Sequence, residues 1–414
     1  MKHLFFGGVH PADRKELTGR GIPAPAPIPA QVVIPLRQHI GAPCTPLVKP
    51  GDTVGLGQKL GDGEGLCVPV HASVSGLVTA VEPRPHPGGG QVLSVVIEND
   101  YQDTPASALE PHLDLSGLTK EEIVSIIGEA GIVGMGGATF PTDVKTVAGM
   151  GRVDTLIANA CECEPYITAD DALLCTYPEQ VLRGMGVLMA VLEPKRAVLA
   201  VEDNKSEAVG ILKKQMETFP GIELLVLPTR YPQGAEKQLI QAVTGRQVPP
   251  GALPKDVGCA VFNAATFASI YKAVYEGEPV TRRIVTVTGE GVREPKNLIV
   301  RIGTPFSEVI AAAGGLTGDV WKVLSGGPMM GVAQADLAVP VVKGTNAVLC
   351  LSRAQDREGA HPQCIRCAKC VTACPMSLQP LYLYRFEQAG DLTALRRLNL
   401  IDCIECGCCA YVCP

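Results

Sequence analysis

No apolar run in this 414-residue sequence approaches the roughly 18 residues of a membrane-spanning helix, so no segment reads as transmembrane. Aromatic residues are scarce at 4%, with Trp321 the single tryptophan, which argues against a surface built to stack sugars or bases. Basic charge is not in excess: 36 Lys and Arg against 42 Asp and Glu leave a net charge of -6, which speaks against nucleic acid as a partner. Leu4-Phe5-Phe6 is too short for the apolar core of a secretory leader, and Asp13, Arg14, Lys15 and Glu16 follow closely, so a reducing compartment is expected. The seven histidines are scattered without metal-binding spacing, and His10 and His71 read as turn or surface residues. No Ser-His-Asp set or paired-carboxylate hydrolase pattern is visible.

Glycine, proline and cysteine are plentiful, at 45, 34 and 16 residues. The length suggests about three domains, and 46% hydrophobic residues suffice for packed cores. Residues 1–30 read as an arm, because the alternating prolines from Gly21 to Pro29 favour an extended, polyproline-like chain. Short strands broken by glycine turns over 31–105 predict a small β-sandwich. Its segments Val48-Lys49-Pro50-Gly51-Asp52-Thr53-Val54 and Ser75-Gly76-Leu77-Val78 resemble the biotinyl/lipoyl hammerhead family. The hairpin Val68-Pro69-Val70-His71-Ala72-Ser73 holds no lysine to modify, so the likeness is structural and not that of a carrier.

Over 115–280, helices alternate with strands at Thr155–Ala158, Ala197–Val201 and Leu224–Leu227, predicting an α/β layer with a mainly parallel sheet. Thr119-Lys120-Glu121-Glu122 is a capping box at one helix start. Residues 281–350 follow a strand pair, helix, strand plan like that of a β-grasp, and 355–414 combine helix with cysteine.

Nine cysteines fall between Cys364 and Cys413. Cys364-x2-Cys367-x2-Cys370-x3-Cys374-Pro375 is repeated as Cys403-x2-Cys406-x2-Cys409-x3-Cys413-Pro414. In such runs three thiolates wrap one 4Fe-4S cubane and the fourth reaches the other cluster. Cys364, Cys367, Cys370 and Cys413 are thus assigned to one cluster, and Cys403, Cys406, Cys409 and Cys374 to the second. Zinc ribbons would need ligand pairs instead. Cys408 falls outside the pattern, and the isolated Cys44, Cys67, Cys175, Cys259 and Cys350 read as buried structural thiols. Leu381, Leu392, Leu395 and Leu398 make the linker between the runs helical. Pro414 follows the last ligand directly, so either a closing helix lies beyond this sequence or the module ends without one.

Gly134-Met135-Gly136-Gly137-Ala138-Thr139-Phe140-Pro141-Thr142 precedes a helix carrying Lys145, a pattern that lets backbone amides and a cation approach a phosphate. It is neither a Rossmann fingerprint nor a Walker A loop. Asn159-Ala160-Cys161-Glu162-Cys163-Glu164-Pro165 ends a strand, where ligands collect in α/β sheets. With Tyr231-Pro232-Gln233-Gly234-Ala235-Glu236-Lys237 and Phe262-Asn263-Ala264-Ala265-Thr266-Phe267, these segments resemble in order the flavin- and NADH-binding segments of the flavin-carrying subunit of respiratory complex I.

That resemblance implies that Gly134, Gly136, Gly137 and Lys145 cradle the phosphate of non-covalent FMN, and that Asn159 and Glu162 meet the flavin and its ribityl chain. It places Gly234 and Glu236 on the nicotinamide side and Asn263 and Thr266 on the phosphate side. Phe140 would stack on the dinucleotide, and Glu164 would face NADH. Met135 stands where complex I has Arg, Thr139 where it has Gly, and Cys161-x-Cys163 is foreign to it. Those departures, with Phe6-Gly7-Gly8-Val9-His10-Pro11, resemble the C subunits of Rnf electron-transport complexes over essentially the whole chain. Cys161 and Cys163 read as small buried residues beside the flavin, with ligand or redox-thiol roles as the alternative.

The fold expected is therefore multidomain: a hammerhead-like β-sandwich, an FMN-binding α/β domain, a β-grasp domain resembling soluble-ligand-binding modules, and a helical two-cluster ferredoxin module. The function implied is electron entry or exit for a membrane-bound, ion-translocating ferredoxin:NAD oxidoreductase, with Glu164 and Glu236 orienting NADH. Integral-membrane and ferredoxin-like subunits would be the partners, at the cytoplasmic face of the bacterial inner membrane. A soluble NADH-dependent reductase, such as a cobalamin reductase, and a cluster-bearing scaffold with a vestigial flavin site are the alternatives.

Overall fold

The computed structural model describes residues 5–19, 21–355 and 363–414. Residues 1–4 and 20 of the expected arm, and 356–362 of the expected ferredoxin module, lie outside the described residues.

The arm contributes β1 (Ala24–Pro25). The β-sandwich follows as β2 (Gln31–Pro35), β3 (Thr45–Pro46), β4 (Thr53–Val54), β5 (Lys59–Asp62), β6 (Val70–His71), β7 (Gly76–Pro85) and β8 (Gln91–Asn99). The α/β layer opens with α1 (Lys120–Glu129), α2 (Thr142–Gly149), β9 (Thr155–Ala160), α3 (Ala169–Thr176) and α4 (Pro178–Leu192). It continues through β10 (Arg196–Glu202), α5 (Ser206–Gln215), β11 (Ile222–Leu227), α6 (Glu236–Thr244), β12 (Cys259–Asn263) and α7 (Ala264–Tyr271). The next domain holds β13 (Arg282–Thr288), β14 (Lys296–Arg301), α8 (Phe306–Ala312), β15 (Val320–Ser325), β16 (Val332–Ala333) and β17 (Ala347–Ser352). The cysteine module is α9 (Lys369–Ala373), α10 (Pro380–Gln388), α11 (Leu392–Arg397) and α12 (Cys408–Tyr411).

The α/β sheet has the order β11-β10-β9-β12 with every pairing parallel. Val198, Leu199, Ala200 and Val201 are all buried, as a strand covered on both faces requires. Thr119 and Glu122 close the expected capping box at the start of α1. The β-sandwich sets a four-stranded sheet, β2-β8-β7-β4, against a three-stranded one, β3-β5-β6. Its Val32, Ile34 and Ile97 share one continuous core with Val285, Val300, Phe306 and Val348 of the β13–β17 domain, so these two units pack as one body. His71 sits on β6 inside this region and is 4% exposed, not at the surface as its turn-like surroundings suggest. Burial holds its imidazole well below the usual histidine range.

The arm is pinned along its length. Gly8 N–H donates to Ala373 O at 2.8 Å, Val9 bridges to Tyr231, and β1 adds a parallel strand to the edge of β14. A 3-10 turn at Lys15–Thr18 carries Lys15 inward, where its ammonium donates to the carbonyls of Glu162 and Glu164, both at 2.9 Å, and to that of Ile167. Gly7 has φ +73°, and a Cβ there would meet Cys374 O at 2.5 Å. Gly7→Ala adds about 1–2 kcal/mol of backbone strain to that clash. We expect faster hydrogen exchange at the Gly8 amide and earlier proteolysis within 363–414. Unchanged protection there would remove the arm as the clamp on this module.

Candidate functional site

The site is built on the carboxyl edge of the parallel sheet, where β9 and β12 end in register with Asn159 opposite Asn263. Asn159 uses both ends of its amide: Nδ2 donates to Gly234 O at 2.8 Å, and Oδ1 accepts from Cys161 N–H at 3.1 Å. The Gly234 loop therefore lies directly over β9, so close that a Cβ would meet Cys161 O at 2.2 Å. Asn263 caps α7 by accepting from Ala265 N–H at 2.9 Å and donates to Asp170 at 2.6 Å. Thr266, fully buried on α7, accepts from Met135 N–H at 3.0 Å and fixes the glycine loop from below.

The loop is closed on itself by Gly134 N–H to Phe140 O at 2.9 Å, which leaves Gly136, Gly137 and Ala138 exposed at its tip. Thr139, standing where a glycine was expected, has φ +51°, the conformation that favours glycine. Phe140 is half-buried in the loop. Lys145 on α2 pairs with Glu236 at the start of α6 at 2.6 Å, so two residues expected on opposite ends of the ligand meet directly. The starts of α2, α6 and α7 thus gather at one edge of the sheet.

Glu162, expected beside the flavin, is buried and held by partners within the protein. One carboxylate oxygen accepts from Asp170 N–H at 2.8 Å and the other lies 3.6 Å from the buried Lys205 ammonium. Lys15 and Lys205 face Glu162 and Glu202 there, and this balance of buried charge holds the side chain inward. Glu164 points the other way. Its Oε2 accepts from Met329 N–H at 3.2 Å, and a Cβ on Gly327 would meet that oxygen at 2.3 Å. Oε1 is buried without a partner. Burial pushes the Glu164 carboxyl up to about 7, against the opposing pull of the Met329 and Met330 amides.

Gly136, Gly137 and Glu164 line one cavity of about 710 Å³, between the glycine loop, the His39-Ile40 segment of the β-sandwich and the Gly326-Gly327 turn. The size suits a nucleotide. An unpartnered carboxylate oxygen and a glycine tip with exposed amides are groups that a flavin nucleotide and a nicotinamide would satisfy, so the residues fit these ligands. Arg283, invisible in the local sequence pattern, supplies a buried guanidinium that donates to Met135 O at 3.3 Å. Burial pulls it down to about 10 while Asp170 opposes the shift. A cation thus lies beneath the loop although residue 135 is not Arg.

The cysteines gather in two groups. Cys364, Cys367, Cys370 and Cys413 surround a cavity of about 170 Å³, and Cys374, Cys403, Cys406 and Cys409 surround another of about 370 Å³. Arg366, Ala368, Glu405 and Gly407 take positive φ and turn the intervening backbone so that the thiols face inward. Leu378 N–H donates to Cys374 Sγ and Glu405 N–H to Cys403 Sγ, each at 3.4 Å, the hydrogen bonds that favour thiolate ligands. Four sulfur donors per cavity fit an iron-sulfur cluster in each. Cys408 is fully buried against Val9, Tyr231 and Cys406, in a patch joined by Cys163. Tyr231 donates its hydroxyl to Cys406 O at 2.8 Å, which ties the Gly234 loop to this second group. Burial keeps Cys161 and Cys163 above the usual thiol range, consistent with packed thiols.

Family models match in four blocks: the RnfC barrel sandwich hybrid domain over 3–102, the Nuo51 FMN-binding domain over 127–272, the SLBB domain over 284–333 and the 4Fe-4S dicluster domain over 363–414. The chain is 46% identical to the C subunit of the Na(+)-translocating ferredoxin:NAD(+) oxidoreductase complex of Acetobacterium woodii, over 97% of this chain and 91% of that one. It is 44% identical to the C subunit of the proton-translocating complex of Clostridium ljungdahlii, over 97% and 88%. Among solved structures, an NAD+-reducing [NiFe]-hydrogenase chain matches with TM-score 0.51 at 23% identity, over 57% of this chain and 48% of that one, a likeness of fold alone.

Proposed function

The chain belongs to the C subunits of Rnf-type ion-translocating ferredoxin:NAD oxidoreductases, and from this we propose which of its residues perform that family's electron transfer. It is a flavin- and iron-sulfur-dependent oxidoreductase subunit. Bound FMN and two 4Fe-4S clusters supply the change from the paired electrons of NADH to single electrons. The observation that carries our assignment is that the Gly234 loop, tied to the strand end by Asn159, leads back to Tyr231, whose hydroxyl donates to Cys406 O of the second cysteine group.

In this reading Gly136 and Gly137 present amides to the flavin phosphate while Gly134 closes the loop through Phe140, Lys145 neutralises the phosphate and Asn263 and Thr266 hold the loop beneath. Asn159 keeps the Gly234 loop over the strand end. Phe140 flanks the dinucleotide, and Glu164 and Glu236 orient NADH by accepting hydrogen bonds. The group with Cys374 packs against the nucleotide domain, whereas Cys364, Cys367 and Cys413 are exposed. The exposed group is thus the outlet toward partner subunits, which we take to be integral-membrane and ferredoxin-like proteins. Among the described residues no helix is long and apolar enough to cross a membrane, and we place the protein peripherally at the cytoplasmic face.

NADH-driven ferricyanide reduction tests this reading. Activity restored to flavin-stripped protein by FMN is the expected result, and a chain that binds neither FMN nor NADH overturns it. Lys145→Ala should weaken FMN binding about ten- to a hundredfold, the worth of one charge-assisted phosphate contact, with iron content unchanged. Equal FMN affinity in a fluorescence titration would remove Lys145 from the site.

A further inference from the structure

Three side chains drawn from residues 39 to 67 meet inside the β-sandwich. His39, Cys44 and Cys67 are all buried, and their donor atoms lie within 4.8 Å of one another. The two sulfurs are 3.5 Å apart, far beyond the ~2.05 Å of a disulfide. His39 faces the Ala42 carbonyl through Nε2 at 3.0 Å, so Nε2 carries the proton and Nδ1 keeps its lone pair. Nδ1 is buried with no partner, on a residue 4% exposed. An imidazole whose second nitrogen donates to a backbone carbonyl is the arrangement that orients metal-ligating histidines.

Beside the cysteines stands Lys343, fully buried, donating to Pro69 O at 2.7 Å and Gly131 O at 2.6 Å. Among the described residues it forms no ion pair with a carboxylate. Two neighbouring thiolates would supply the missing negative charge. We propose that His39, Cys44 and Cys67 bind one thiophilic d10 cation, copper(I) or zinc(II), through two sulfurs and one imidazole nitrogen. Two thiolates and copper(I) carry one net negative charge, which Lys343 balances; two thiolates and zinc(II) are neutral. Binding releases the thiol protons to solvent, including the one that Cys44 now directs to Val68 O at 3.2 Å.

The site is a rivet in the wall of the nucleotide cavity. Ile40 N–H, next to the imidazole, donates to Thr139 O of the glycine loop at 3.1 Å, and Lys343 N–H donates to Gln38 Oε1 at 3.0 Å. The metal therefore positions the segment that borders the cavity and takes no part in the chemistry there.

The test uses the full chain with both clusters loaded, so that the eight cluster cysteines are occupied. Zinc(II), or copper(I) under anaerobic reductant, is titrated against a chromophoric competitor, and bound metal is counted beside iron. One equivalent of one of the two metals is expected to be retained against the competitor, with an absorption-edge spectrum fitted by two sulfurs and one nitrogen; the arm that retains it identifies the cation. Cys67→Ser and His39→Gln should each weaken binding at least about tenfold while iron stays unchanged. No retained metal in the wild-type chain, equal retention in Cys67→Ser, or a Cys44–Cys67 disulfide in protein kept under reductant overturns the proposal. The spectrum of the wild-type chain decides the matter even where a variant fails to fold.

Discussion

Cys413→Ala is expected to abolish the iron held by Cys364, Cys367 and Cys370 while leaving the other group's iron in place. The side chain removed lies 10 residues beyond Cys403 in sequence, yet it shares a cavity with the first run and not with its own. Cys374→Ala should mirror this, because Cys374 lines the cavity of the second run. Each variant should lose about four of roughly eight iron atoms, and low-temperature spin-resonance spectra should lose one signal. The crossing is what distinguishes the outcome. Loss of the Cys403, Cys406 and Cys409 signal in Cys413→Ala would mean that each run keeps its own fourth ligand.

Glu164→Gln should raise the KM for NADH with FMN and iron content intact. A hydrogen bond to an ionised acceptor is worth about 1.5–3 kcal/mol, or roughly ten- to a hundredfold. The pH profile sharpens the claim. Burial raises this carboxyl to about 7, so the ionised form that accepts from NADH becomes dominant only above that pH. Wild-type kcat/KM should climb through pH 7, and the Gln variant should lack that step. For stability the sign is opposite. The folded protein holds the proton that the unfolded chain releases near the ordinary 4.5, so the contribution of Glu164 falls as pH rises from there to about 7 and stays low above it. The competing role is structural, since Oε2 also accepts from Met329 N–H. A lowered Tm with unchanged KM and an unchanged pH step would assign Glu164 to holding that turn.

Local pattern made the cysteine runs, the capping box at Thr119 and the strands around Ile157 and Leu199 legible, because ligand spacing and apolar continuity need only near neighbours. β12 left no such mark: Asn263 ends the strand and caps α7 at once, with no turn residue between. The inward turn of Glu162 depends on Lys15 and Lys205, and the cation under the glycine loop on Arg283, 148 residues from its partner Met135. His71 and the meeting of Cys44 with Cys67 follow from the core shared by two units, which no window along the chain reports. The glycine loop itself was visible; that Lys145 would pair with Glu236 was not, since two different helix starts must first be brought to one sheet edge.

The pinned arm has a bearing on how the chain is made. Residues 5–25 leave the ribosome long before their partners at Glu162, Tyr231, Ile299 and Ala373. Until the arm docks, β14 is a bare edge strand, its outward amides open to pairing with any extended segment nearby, a template for aggregation. Closing the loop from β1 to β14 spans more than 270 residues, and its entropy grows only slowly with that length, so the delay is set by synthesis more than by search. A chain shorn of its arm would still carry both cysteine groups and the glycine loop, and it would emerge with that sticky edge permanently uncovered.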